Sequence, residues 1–152
     1  MNESKRYLGL DYGSKTVGVA ISDPLLMTAQ GVEIIKRERE SKLRKTLARI
    51  DELVAKYNVS EIVLGLPLNM DDSEGDRALK TREFGEKLNK RTGLKVNYFD
   101  ERLSSFEAHE ILDECDIKSY KHKEFVDEVA AMVILQGFLD ELGQKTGLKE
   151  PS

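Results

Sequence analysis

Four acidic residues stand where stretches of this sequence end or begin, and acids in such places can do chemistry. Asp11 closes the apolar run "YLGLD" and is followed at once by a glycine turn. Asp100 and Glu101 close a second short run, "VNYFDE". Asp127 enters the stretch "FVDEVAAMVILQGFL", which is apolar nearly all round. Aspartate is a poor strand residue, and a helix apolar on every side is a buried one, so these carboxylates point at something specific. Brought together, carboxylates repel one another unless a cation binds. Hard oxygen ligands that leave room for waters and a phosphate suit Mg²⁺ or Mn²⁺. Two such ions about 4 Å apart clamp an in-line attack of water on a phosphodiester, one activating the water and the other stabilising the leaving 3′ oxygen. Each acid also has a plainer use. Asp11 can cap the glycine turn, Asp127 can complement a helix dipole from the first turn, and Asp100 and Glu101 can pair with Arg102 on the surface.

Elements must bring these residues together. Residues 6–11 and 17–22 read as a hairpin around "YGSKT", and 30–35 as a third strand. Leu43, Leu47, Ile50, Leu53 and Val54 recur at helical steps, which predicts a helix over about 40–57. This stripe is too short for a coiled coil and belongs to the core. "EIVLGLP" at 61–67 is a continuous apolar run closed by Pro67, the pattern of a buried parallel strand. A polar loop, "LNMDDSEG", leads to a helix from Asp76 to Thr92 that Gly93 ends, and 95–100 forms the next strand. "SSFE" opens a helix as a capping box from Ser104 to Glu107, and the basic loop 118–123 leads to a last helix over about 124–142. Strands alternating with helices require crossovers, so the later strands are expected to be parallel and the opening meander antiparallel. The expected architecture is α/β: a mixed five-stranded sheet with helices on both faces. The carboxyl ends of its parallel strands would gather the acids at one edge.

The bulk numbers narrow the setting. A chain of 152 residues suits one domain with a real core; it is expected over 1–143, with 144–152 a flexible tail. The longest apolar stretch, at 129–139, is far short of the roughly 18 residues that span a membrane, and "MNESKRY" is not followed by the apolar core of a signal peptide, so none is expected. The single Cys115 permits no internal disulfide, which fits a reducing compartment, so a cytoplasmic protein without membrane partners is expected. Net charge is −4, against bulk affinity for nucleic acid. Residues 36–49 nevertheless hold seven Lys/Arg against two Glu, while 107–116 hold five acids. Such a basic segment can meet phosphates or simply be a solvated helix face. His109 and His122 have no partners at zinc spacing.

Four stretches carry a resemblance that covers nearly the whole chain: "LGLDYGSKTVGVAISD", "VLGLPLNMDDSEG", "DERLSSFEAHEIL" and "VDEVAAMVILQGFLD". In this order they resemble the YqgF family, the Holliday junction resolvase-like proteins also called RuvX, within the ribonuclease H-like superfamily. The resemblance implies a ribonuclease H-like nuclease domain and a hydrolase, a metal-dependent endonuclease. Its substrate would be the 5′ end of precursor 16S rRNA, or alternatively branched DNA. It implies Asp11, Glu101 and Asp127 as the catalytic, metal-holding acids, with two Mg²⁺ or Mn²⁺ ions. Asp100 stays open beside Glu101, because strand alternation lets only one of them face the site; related resolvases, whose second acid is a glutamate, favour Glu101. Lys15, Asn69, Ser73 and Arg102 are candidate substrate contacts, although Lys15 can equally form a structural salt bridge. Asp72 stands where the family usually has glycine. The partner is expected to be nucleic acid, RNA ahead of branched DNA, and the chain a monomer or homodimer; junction resolution would favour a symmetric dimer.

Two rivals share these features. A D-x-G turn between strands is also the phosphate loop of actin-like ATPases and sugar kinases, but those close two domains over a nucleotide and the P-loop pattern is absent. A binding factor for RNA or the ribosome, of the same fold but without chemistry, is the other.

Overall fold

The computed structural model describes residues 5–71, 73–101 and 119–146, with side chains described for all but 119–128 and 144–146. Along the chain come β1 (Tyr7–Tyr12), β2 (Thr16–Ser22), β3 (Ala29–Lys36), α1 (Arg44–Tyr57), β4 (Glu61–Leu66), α2 (Asp76–Thr92), β5 (Val96–Asp100) and α3 (Ser119–Thr146). The strands form one sheet in the order β3-β2-β1-β4-β5. β1 and β2, and β2 and β3, pair antiparallel, whereas β1 with β4 and β4 with β5 pair parallel. The expected mixed sheet is therefore observed, meander first and crossovers after.

Period-two alternation divides each strand between the two faces. Leu8, Leu10, Val17, Val19, Ile62 and Leu64 point to one side. There they meet Ile50 and Leu53 of α1 and Phe84 and Leu88 of α2 in the larger core. Tyr7, Ala20 and Val63 point to the other side, against Ala131, Ile134, Leu135 and Leu139 of α3. Glycines let α3 lie close to this second face. A β-carbon at Gly9 would stand 2.7 Å from Leu135 Cβ and 3.2 Å from the Ala131 carbonyl oxygen.

The helices stop where left-handed residues allow. Asn58 (φ 53°) follows α1 and Gly93 (φ 74°) follows α2, with the Gly93 N–H donating to the Asn89 carbonyl. α1 begins at Arg44 rather than near residue 40, because residues 37–43 are tied into a loop by Arg37 and Glu40. A larger correction concerns α3. Residues 119–123, expected as part of a basic loop, are helical, and the helix continues past Leu142 to Thr146. No glycine or proline interrupts residues 119–136, and its lysines and glutamates favour helix. Asp127 thus lies beyond the first turn, which contains no acid, so the helix-dipole reading of this residue fails. The expected helix opened by Ser104 and Glu107 falls outside the described residues, as do Asp72 and Cys115. Among the described residues no helix is long and apolar enough to cross a membrane.

Candidate active site at the carboxyl edge of the sheet

β1, β3, β4 and β5 all run in one direction and β2 runs against them. One edge of the sheet therefore collects Asp11, Lys36, Leu66 and Asp100 with the loops that follow them. In such a sheet this edge is where ligands are held.

Asp11 shares its face with Tyr7 and Gly9, the face covered by α3, and is partly buried at its pairing position opposite Gly18. On β5, Phe99 packs its ring against Gly137 of α3. Asp100 therefore turns to the opposite face, where it is exposed. Glu101 turns back to the α3 side. Its N–H donates to the Leu66 carbonyl at 3.2 Å, which extends the pairing of β5 with β4 by one residue. Its carboxylate folds inward over Gly65, with Oε1 withdrawn from solvent and in contact with the position where a β-carbon of residue 65 would be. The last pair of β1 with β4 is Leu10 with Leu64; Asp11 and Gly65 are the next residues along each strand. Adjacent strands lie about 4.8 Å apart, so the Glu101 carboxylate lies roughly one strand spacing from Asp11.

The position of Asp127 follows from the direction of α3. Tyr7 meets Phe138, with ring centroids 5.4 Å apart, and Gly9 meets Leu135 and Ala131. Moving up β1 thus means moving back along α3. From Gly9 to Asp11 the strand rises about 6.6 Å, and from Ala131 back to Asp127 the helix rises about 6 Å. The helical stripe of Leu135 and Ala131 reaches residue 127 at the level of Asp11. The Asp127 side chain lies outside the described part of the chain, and among the described residues no three acids, histidines or cysteines come together.

Behind Asp11, on the other face, lies an arrangement with no periodic signal in the sequence. Tyr12 stacks on Phe84 at 4.2 Å and carries the guanidinium groups of Arg37 and Arg77 over its ring at 4.8 and 5.5 Å. Arg37 Nη2 donates to the Gly13 carbonyl at 2.6 Å, and Arg77 Nη1 donates to both carboxylate oxygens of Glu40. Burial and a hydrogen bond to Glu40 push the Tyr12 phenol above its ordinary range. Burial alone would raise Glu40, but the bonds from Arg77 and Tyr12 outweigh it and hold the carboxyl below its usual value. This network ties the glycine turn, the loop after β3 and the start of α2 into one support for the end of β1. Beside it opens a cleft of about 470 Å³ with charges of both signs on its walls: Arg39, Lys80 and Lys87, with Glu40 and Glu83.

The basic segment is in part used internally. Arg37 serves the turn, Arg49 binds Glu33 and Glu52, and Lys42 pairs with Glu38. Lys36, Arg39, Arg44 and Lys45 remain exposed at or near the carboxyl edge. Lys15 stands exposed at the turn after β1, and among the described residues it forms no salt bridge. Asn69 and Ser73 close their own loop. Asn69 Nδ2 donates to Ser73 Oγ at 2.9 Å, the Asn69 N–H to the Ser73 carbonyl, and the Ser73 hydroxyl to Asp71 at 2.6 Å. Arg102 lies outside the described residues.

A mixed sheet of this order, with acids at its carboxyl edge and a long helix across one face, defines a ribonuclease H-like domain. Two solved resolvases share the fold. Thermus thermophilus RuvC in complex with a Holliday junction substrate superposes with a TM-score of 0.56 at 14% identity, covering 91% of this chain and 96% of its own. The fowlpox virus Holliday junction resolvase gives 0.52 at 17% identity, covering 90% and 99%. A family model described as "RuvX: Holliday junction resolvase" matches residues 5–141, and the chain belongs to that family. Relatives named "Putative pre-16S rRNA nuclease" include a protein of Agathobacter rectalis, 60% identical over 90% of this chain and 96% of the relative, and one of Moorella thermoacetica, 48% identical over 91% and 97%.

Proposed function

We propose that this protein is a hydrolase that cuts phosphodiester bonds in nucleic acid, acting in the cytoplasm on the 5′ end of precursor 16S rRNA. The observation that carries the reading is the pair of carboxylates, Asp11 and Glu101, on one face at the carboxyl edge, with Asp127 reaching the same level on the helix that covers it. The names of the close relatives support the rRNA substrate, and the family description supports a DNA junction as the second substrate to test.

The donor set fits a divalent cation: hard carboxylate oxygens from three separate elements, suited to Mg²⁺ or Mn²⁺. Asp11, Glu101 and Asp127 would hold the ions, and Asp100, exposed on the other face, would not. Bound there, the ions would lower the pKa of the attacking water and stabilise charge on the leaving 3′ oxygen. The protein's own part is to fix the acids. The Tyr12 network holds the end of β1, the Glu101 N–H holds the end of β5, and α3 excludes water from the inner side. The exposed Lys36, Arg39, Arg44 and Lys45, with Lys15, would take the phosphates on either side of the cut; such contacts position a strand without reading its sequence. Asn69 and Ser73 would contribute through the shape of their loop.

The test is cleavage of labelled RNA carrying a precursor 16S 5′ end, with Mn²⁺, with Mg²⁺ and with EDTA, beside a synthetic four-way DNA junction. Metal-dependent cutting of the RNA that Asp11→Asn abolishes is expected. Preferential cutting of the junction would move the substrate to DNA. A folded protein that binds RNA and cuts neither substrate would be a binding factor.

A further inference from the structure

Gly65 lies inside a buried strand, a place where glycine weakens pairing and marks the close approach of another group. What approaches is unusual. At Gly9 the space is taken by the hydrocarbon of Leu135, whereas at Gly65 it is taken by the carboxylate of Glu101, with Ile134 Cδ1 beside it. Both contacts are the ends of flexible side chains. Ile134 Cδ1, 2.5 Å from where a β-carbon would be, is the end of a flexible side chain and can turn away. The Glu101 carboxylate must also turn, and because Glu101 Cβ itself lies 3.3 Å from the same point while its N–H is bonded to Leu66, a β-carbon at 65 drives the carboxylate out of its place over residue 65.

We propose that Gly65 is a positioning residue for the acid pair: its bare backbone is the seat on which the Glu101 carboxylate lies next to Asp11, and this seat sets the reach of both acids to a shared divalent cation. The inference rests on the reading that these acids hold a cation, and its test separates the two.

Mn²⁺ binding is measured on the full chain without nucleic acid, by the electron paramagnetic resonance signal of free Mn²⁺ and by the Mn²⁺-induced rise in Tm. Gly65→Ala and Glu101→Gln are each expected to weaken Mn²⁺ binding at least tenfold. In the Glu101→Gln background, Gly65→Ala is expected to add no further loss, since both act through one carboxylate. Gly65→Ala/Ile134→Val relieves the hydrocarbon contact, so it should recover metal-free Tm while Mn²⁺ binding stays weak. Wild-type Mn²⁺ affinity in Gly65→Ala, or its return in Gly65→Ala/Ile134→Val, would reduce Gly65 to a packing role and overturn the inference alone. A wild-type chain that binds no Mn²⁺, or Glu101→Gln binding as tightly as wild type, would overturn the metal reading and the inference with it.

Discussion

The two faces of the sheet are packed by different rules. On the face of α1 and α2, large aliphatic and aromatic side chains fill the space, with Leu8, Leu10, Ile62, Leu64 and Phe84 all buried. On the face of α3 the strands present Gly9, Ala20, Val63 and Gly65, and the helix comes down close enough to touch backbone. The first face buries apolar area and so supplies most of the driving force for folding. The second gives up side-chain volume, and in return places carboxylates from β1 and β5 beneath one long helix. Stability and chemistry are therefore separable here, and variants on opposite faces should fail in opposite ways.

The largest effect should come from the aliphatic face. Phe84→Ala removes the ring stacked on Tyr12 and leaves a cavity, with an expected loss of about 3–5 kcal/mol; urea unfolding measures it, and a loss below about 1 kcal/mol would show that face to be loosely packed. Asp11→Asn is expected to behave in reverse. Cleavage should fall at least about 100-fold, since even groups that only support metal ligands cost about 10–100-fold, while Tm stays near that of the wild type. A parallel fall in Tm would mean that Asp11 serves the fold instead. Gly9→Ala tests how closely α3 must approach its face, because its β-carbon would crowd Leu135 Cβ and the Ala131 carbonyl, neither of which is a flexible end. We expect a loss of about 1–3 kcal/mol, with cleavage falling as α3 shifts.

The smallest effect lies far from the site. The Arg49 hydrogen bond holds the Glu33 carboxyl below its ordinary value near 4.5. A depressed carboxylate contributes stability that is present above the unfolded value and lost as pH falls through the folded one. Arg49→Ala should thus lose this contribution at neutral pH, and its stability should fall less steeply than that of the wild type as pH drops below about 4.5. An unchanged acid slope would show that the pair contributes nothing.

Much of the fold was legible because its signals are local. Alternation in "YLGLDY" and "TVGVAIS", the closed apolar run ending at Pro67 and the stop at Gly93 each act within a few residues. The start of α3 is hidden for a related reason: lysines and a histidine between hydrophobic stretches resemble a loop in composition, yet nothing in them breaks a helix. The choice between Asp100 and Glu101 could be framed from alternation, but the face each takes depends on Phe99 meeting Gly137 across the fold. The Tyr12, Arg37, Glu40 and Arg77 network left no trace in spacing, because its members come from three separate segments.

By itself the sequence determined the strands and helices, the mixed sheet and the acids available to a site, since propensity, periodicity and turn chemistry are properties of short stretches. Only the tertiary structure decided that Glu101 lies over Gly65 beside Asp11, that Asp100 faces away, and that Arg37, Lys42 and Arg49 of the basic segment are largely occupied. Those outcomes depend on strand register and on how close a helix can approach backbone, and both are set by contacts between residues far apart in the chain.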